Sequence, residues 1–299
     1  MGAFISAIPG AVAQGLIWGI MAIGVYITFR VLDFADLTVD GTLATGGAVL
    51  VITMMNGMNV YVALLLSFIA GCVAGLVTGV LNTLLCIPPI LAGILTQLAL
   101  YSVNLRILGK SNQALSIYKY HVLASMTDIT KAIIIVAIFV VAIIAILYWF
   151  FDTELGHSIR ATGCNQNMSR ANGINIKFTK IVALILSNGL VALAGGLLSQ
   201  YQGFADVNMG RGAIVIGLAA VIIGEVIFGK IFKNFALRLL AVAFGGIIYY
   251  IVMQFVINLG LNTDDLKLLT AVIVAIFLGI PYIKSQYAQK HIKSKGGNK

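Results

Sequence analysis

Residues 131–151 read KAIIIVAIFVVAIIAILYWFF, a run whose only charge is the lysine at its edge. A helix that crosses the hydrocarbon core of a bilayer needs about 20 mostly apolar residues, and this run supplies them unaided. Working outward, further apolar runs fall near residues 11–31, 36–56, 60–80, 88–108, 178–200, 212–229, 236–258 and 268–283. Hydrophobic residues make up 60% of the 299, and charged residues 10%, where a soluble domain carries roughly 25% charged. Composition therefore excludes a soluble enzyme, a secreted disulfide scaffold and a disordered chain. It predicts an all-α polytopic membrane protein of about nine transmembrane helices, eight to ten at the limits. Residues 1–283 form one membrane domain, and 284–299 form a basic tail.

The net charge of +9 points to topology, with no nucleic acid as partner. The positive charges gather in the tail (Lys284, Lys290, Lys293, Lys295, Lys299), in the 152–180 segment (Arg160, Arg170, Lys177, Lys180) and in the 230–238 turn (Lys230, Lys233, Arg238). Short loops rich in Lys and Arg stay cytoplasmic, and these three are separated by pairs of spans. The N-terminus and the segments 109–130, 201–211 and 259–267 are then outside, and the C-terminus is cytoplasmic. MGAFISAIPG lacks a basic n-region, so a cleaved signal peptide is not expected. Cys72, Cys86 and Cys164 have neither metal spacing nor a disulfide plan.

Three aspartates and three glycines interrupt residues 33–56, which predicts a broken or re-entrant helix; such backbone is tolerated where protein or a cavity surrounds it. Phe34-Ala35-Asp36 recurs as Phe204-Ala205-Asp206, and at the same offset Gly19 matches Gly189, Ala22 matches Ala192 and Gly47 matches Gly217. The topology puts Asp36 near the inner face and Asp206 near the outer one, so the copies, about 11–108 and 178–283, are inverted. Inverted repeats with interrupted helices are a transporter architecture. Gly71, Gly75 and Gly79 form a small-residue ladder that permits close helix crossing, within one bundle or between subunits.

Ionisable groups at membrane depth are costly and are usually paired or functional. Arg30 with Asp33 or Asp36 is the expected ion pair, and Glu225 is expected to pair with Lys230. Asp36 and Asp40 are alternatively gating or solute-contacting groups. Thr96, Gln97, Asn104 and Arg106 bring polar groups into the fourth span, suited to a zwitterionic or aromatic solute or to bonds between helices. Asn82, Asn188 and Gln200 have the same two readings. Between the fifth and sixth spans lies a polar segment, about 152–177, with a cap at Asn165 and a stop at Gly173. It reads as a short cytoplasmic helix, free to dock in a partner's groove, or as a plain loop. There is no GxxxxGK[ST] phosphate loop, so ATP, if used, is hydrolysed by a partner.

RVLDFADLTVDGTLATGGA (30–48), LAGILTQLALYSVNLRILGKSN (91–112) and the motif T-x-x-G-x-x-I-R-A-T-G-x-N (153–165) resemble bacterial ABC transporter permeases of the branched-chain amino acid and ribose type. The likeness extends most closely to the subgroup that works with lipoprotein binding proteins in tryptophan or tyrosine uptake. It implies a plasma-membrane importer: a second permease chain (a homodimer), two ATP-binding-cassette ATPases beneath, and an external substrate-binding lipoprotein. The chain itself would bind no cofactor, ATP and magnesium being used by the ATPases. The resemblance also implies that Arg160, Ala161, Gly163, Asn165, Arg170, Ala171 and Gly173 belong to the coupling segment. Cys164 and Gln166-Asn167 depart from the acidic or proline residues common there. Asp36, Asp40, Thr96, Gln97 and Asn104 are the candidates for the translocation path. The alternative is an ion-gradient-driven secondary transporter, which calls for intramembrane carboxylates or a sodium site.

Overall fold

A computed structural model of the chain describes residues 2–117, 119–258, 268, 271–272, 274–276 and 279. The expected tail, the 259–267 turn and most of the ninth apolar run lie outside the described residues. The first helix, α1 (Gly2–Tyr26), closes in a π-helical turn over Ile27–Val31. It is followed by α2 (Val39–Met55), α3 (Val60–Thr83), α4 (Pro89–Leu108) and α5 (Ile129–Phe151). Two short polar helices come next, α6 (Glu154–Cys164) and α7 (Gln166–Ala171). The described helices end with α8 (Ile176–Gln202), α9 (Ala213–Phe228) and α10 (Phe235–Asn258).

Six of these helices are long and apolar enough to cross a membrane, while α2 and α9 are apolar but shorter. At 1.5 Å per residue, a helix as short as α2 or α9 reaches about 25 Å, less than the roughly 30 Å of hydrocarbon. Within residues 33–56 the helix is unbroken from Val39 to Met55, through Gly41, Gly46 and Gly47, the glycines expected to interrupt it; only residues 33–38 ahead of it are non-helical. The chain leaves α1 at Val31, runs without helix through 32–38, and starts α2 part-way up. The stretch 203–212 precedes α9 in the same way. Both carry the Phe-Ala-Asp triplet, and in both the aspartate accepts a bond from the backbone N–H two residues on: Thr38 to Asp36 at 2.9 Å and Asn208 to Asp206 at 2.6 Å.

Asp36 sits deeper than its place near the inner face implied. It bonds to Asn188, the midpoint of α8 and about 18 Å along that helix from its start. The stretch is irregular: Leu32 keeps helical angles, Asp33 takes φ 55°, and the Phe34 N–H bonds back to the Thr28 carbonyl at 2.9 Å. At the opposite end the 109–130 and 201–211 segments meet, as loops on one side must. Asn112–Ala114 (β1) pairs antiparallel with Phe204–Asp206 (β2).

The core is set by helices whose backbones touch. The main pairings are α3 on α8 and α10 on α1, with α2 crossing α8. A Cβ at Gly71 or Gly75 would strike the α8 carbonyls of Asn188 or Leu184, so the ladder serves packing within the bundle. Where α2 crosses α8, Gly46 lies on the Ala192 carbonyl and Gly195 on that of Leu43. Ser67 ties the crossing, donating to the carbonyls of Gly46 or Ala192, each 2.9 Å away. Of the ninth run, Val274 is buried against Ala219, Ile223 and Tyr249.

Gly195→Leu forces a side chain into backbone. Overpacking of this kind costs roughly 1–3 kcal/mol, so the variant is expected to melt lower than the parent in detergent. An unchanged melting temperature would mean that α2 and α8 do not cross in contact.

Candidate functional site

Two hydrogen-bond systems fix the start of α2. Asn188 donates to Asp36 at 2.7 Å and to the Leu184 carbonyl at 3.1 Å, while its own oxygen accepts from Thr42 at 2.8 Å. Thr38 meets Thr78 at 2.8 Å, and Thr78 donates to Thr96 at 3.0 Å, a hydroxyl chain linking α2, α3 and α4. Asp36, Thr38, Thr78, Thr96 and Asn188 are all buried. Of the five path candidates, Asp36 and Thr96 therefore hold the structure together.

The other three line a common space. Asp40 and Gly41 of α2, Gln97, Leu98, Tyr101 and Asn104 of α4, and Val207 and Arg211 of the 203–212 segment enclose a cavity of about 340 Å³. Gln97, Tyr101 and Asn104 share a face because residues four and three apart on a helix do so. Asp40 carries a further constraint: its carboxylate accepts from the backbone N–H groups of Gly212 and Ile214, each at 2.9 Å. Those groups open α9, where unpaired N–H donors attract negative charge. The starts of α2 and α9 are thereby joined tip to tip. A carboxylate has about four acceptor positions, so Asp40 keeps capacity for another donor. Asn104 is 1% exposed; its Nδ2 lies 3.4 Å from the Gly41 carbonyl, and its Oδ1 has no partner among the described residues. The sequence reading missed Tyr101, which its spacing from Gln97 could have revealed, and Arg211, which has no local signal. A larger cavity, about 720 Å³, between the 57–61 turn and loop 119–123, contains none of the candidates.

The remaining two ambiguous amides also bond within the fold, while the buried Nε2 of Gln200 has no partner among the described residues. Asn82 donates to the Ile87 carbonyl, and the Gln200 side-chain oxygen accepts from the Leu123 N–H. Arg30 does not pair with Asp33 or Asp36. It bonds Glu225 at 2.8 Å, which also takes Glu225 from the expected Lys230. The reason is tertiary: α9 descends beside the end of α1 and brings its last turn to Arg30.

The coupling candidates divide in two. Gly163 abuts the Val31 carbonyl, so α6 is seated directly on the end of α1. Arg160 turns inward with its guanidinium 4.3 Å from the centre of the Phe235 ring and 5.4 Å from that of Phe151. Ala161 is part-buried on the same helix. Asn165 caps α7 by accepting from the Met168 N–H, and Gly173 ends the segment at φ 81°. Asn165, Arg170, Ala171 and Gly173 are exposed, and so is Met168, at 65%. An exposed thioether between polar residues suits a protein-binding face.

A bundle of apolar helices with two shortened members meeting at a polar cavity is an arrangement suited to a membrane transport path. Residues 8–281 match the family described as branched-chain amino acid transport system / permease component, and the chain belongs to it. It is 41% identical over 273 residues to a tyrosine transport system permease protein of Clostridioides difficile (strain R20291), covering 91% of this chain and 90% of that one. A fructose import permease protein of Bifidobacterium longum (strain NCC 2705) is 26% identical over 267 residues, 87% of this chain and 73% of the other. Among solved structures, PsaBC from Streptococcus pneumoniae in complex with Fab shares the fold at TM-score 0.52 and 14% identity, over 92% and 94% of the two chains. The chain is thus a multi-pass plasma-membrane permease subunit of an ABC importer, not an enzyme; ATP hydrolysis and solute capture belong to separate partner subunits.

Removing one partner of a buried hydrogen bond costs about 1–3 kcal/mol when the other is left unsatisfied. Asp36→Ala and Asn188→Ala are each expected to lower the melting temperature. The double variant is expected to lose less than the sum of the two, since contacting residues are not additive. Strict additivity in thermal unfolding would count against the bond.

Proposed function

We propose that the chain is the translocation subunit for an amino acid, with an aromatic one favoured, and that it works as a homodimer fed by an external lipoprotein. The observation that carries this reading is the cavity at Asp40, Gln97, Tyr101, Asn104 and Arg211. Within it a carboxylate, a guanidinium and neutral amides lie near a phenol ring. Opposite charges suit a zwitterion, and the ring offers an offset or edge-on partner to an aromatic side chain. The tyrosine transport relative supports the same choice.

The exposed face of α4 supports a position for the second chain. Both α4 and α5 are little buried, 22% and 28%, but their open faces differ. That of α5 is apolar (Ile134, Ile138, Val141, Ile146) beyond Lys131 at its edge, whereas α4 adds Ser102 and Arg106, in its last two turns, to an exposed apolar face of Ile90, Leu91, Ile94, Leu95 and Leu98. Polar groups at membrane depth face protein or a water-filled space, so α4 faces the partner permease and the path between the two copies.

Nine crossings, with the N-terminus outside and the C-terminus cytoplasmic, follow from the charged loops. An inverted repeat accounts for the like construction of 32–38 with α2 and 203–212 with α9. It also accounts for the reciprocal pairing of α3 with α8 and of α10 with α1. Two ATPases grip α7, and ATP and magnesium stay with them, this chain binding no cofactor. Movement of α7 passes through α6 to Val31, where the unwound segment leading to Asp40 begins. ATP then drives import by favouring one of two orientations, and only a difference in affinity for the two can shift that balance.

In cells carrying the whole importer, Asn104→Leu is expected to cut uptake of labelled tyrosine about tenfold, the worth of one good hydrogen bond. Met168→Asp, on an exposed position, is expected to abolish uptake with membrane insertion intact. Normal uptake in both variants would overturn the assignment of path and docking face.

A further inference from the structure

At the end of the bundle that bears α6, a second cavity of about 400 Å³ lies between four elements. Tyr26, Arg30 and Val31 end α1, Arg160 and Cys164 come from α6, Glu225 from α9, and Lys233, Phe235 and Arg238 from the turn and start of α10. Four cations and one carboxylate thus share one space. Glu225 is bonded to Arg30, which leaves Arg160, Lys233 and Arg238 with no counter-charge among the described residues lining it.

Arg160 makes this more than a loose basic patch. Two aromatic rings hold its guanidinium, so its orientation is fixed before any ligand arrives, and its Nε is buried without a hydrogen-bond partner among the described residues. An orphaned buried donor is costly unless something satisfies it. A planar guanidinium presents paired N–H groups whose spacing matches phosphate oxygens. The start of α10 adds the partial positive charge of a helix N-terminus. Basic pockets between transmembrane helices on the cytoplasmic side are suited to anionic head groups.

We propose that this cavity binds a phosphate group at the cytoplasmic face, presented by an anionic lipid headgroup or free in solution. The bound anion joins α6 to the ends of α1 and α9 and to the start of α10, and so sets how firmly α6 is held against the bundle. The proposal rests on the reading that this end of the molecule is cytoplasmic, but its test uses purified permease and no uptake, so the two fail separately.

Cys164 lines the cavity and is exposed, which provides a native reporter. In a Cys86→Ser background, the full-length permease in a phosphate-free maltoside detergent is reacted with a neutral maleimide. Short-chain phosphatidylglycerol, phosphatidylcholine and inorganic phosphate are added in separate arms. Slower labelling of Cys164 with phosphatidylglycerol than with phosphatidylcholine is the expected result for a lipid headgroup. Equal protection by inorganic phosphate identifies the free anion. Lys233→Gln and Arg238→Gln are exposed changes, checked for folding by monodispersity, and each is expected to weaken protection about fivefold, the worth of one cation near an anionic surface. Labelling unaffected by any anion, or protection unchanged in the two variants, overturns the proposal.

Discussion

The bond between Asn188 and Asp36 decides what the rest of the bundle can be. Residues 32–38 carry irregular, non-helical backbone beside the middle of α8, where buried N–H and C=O groups need partners from the protein. Asp36 accepts from the Thr38 N–H and from Asn188, and Asn188 in turn accepts from Thr42. One aspartate and one amide thus secure the unwound stretch and the first turn of α2 together. Without them the apolar alternative is a continuous helix, which would carry Asp40 away from the start of α9 and close the polar cavity.

Close backbone approach is the second requirement, and glycine meets it. Where α2 crosses α8 and α3 lies along α8, the glycines remove the side chains that would hold the helices apart. In lipid there is no hydrophobic gain from burying one apolar helix against another, so contact depends on dispersion and on hydroxyls that bridge to carbonyls. Ser67, shared between Gly46 and Ala192, is such a bridge. The helices are joined by non-helical junctions at 32–38 and 203–212, the second held to the 109–130 segment by the β1–β2 pairing. The 203–212 junction lines the cavity at Asp40 through Val207 and Arg211, and the 32–38 junction leads into the helix that carries Asp40.

The same arrangement relates the two ends of the chain's task. Gly163 places α6 on Val31, the last residue before the unwound stretch, and α7 stands clear with Met168 exposed. Force applied to α7 has a short route to the start of α2 and, through the bonds of Asp40, to α9. Rigid helices transmit displacement well because packed interiors are dense and compress little.

The amino-acid sequence alone determined that the protein is helical and membrane-embedded, where most of its helices lie, and that a capped polar segment follows α5. These follow from local quantities, apolar run length and capping side chains; the glycines expected to break residues 33–56 instead lie inside an unbroken α2, and only the aspartate-bearing stretch before it is non-helical. It also marked Asp40, Gln97 and Asn104, because polar groups stand out in an apolar run. Only the tertiary structure decided that Asp36 and Thr96 brace the fold while those three line a cavity, that Arg30 bonds Glu225, that Arg160 turns inward, and that Tyr101 and Arg211 join the site. Each of these depends on which helix lies beside which, and residues 195 apart in the chain, as Arg30 and Glu225 are, carry no local pattern that records their meeting.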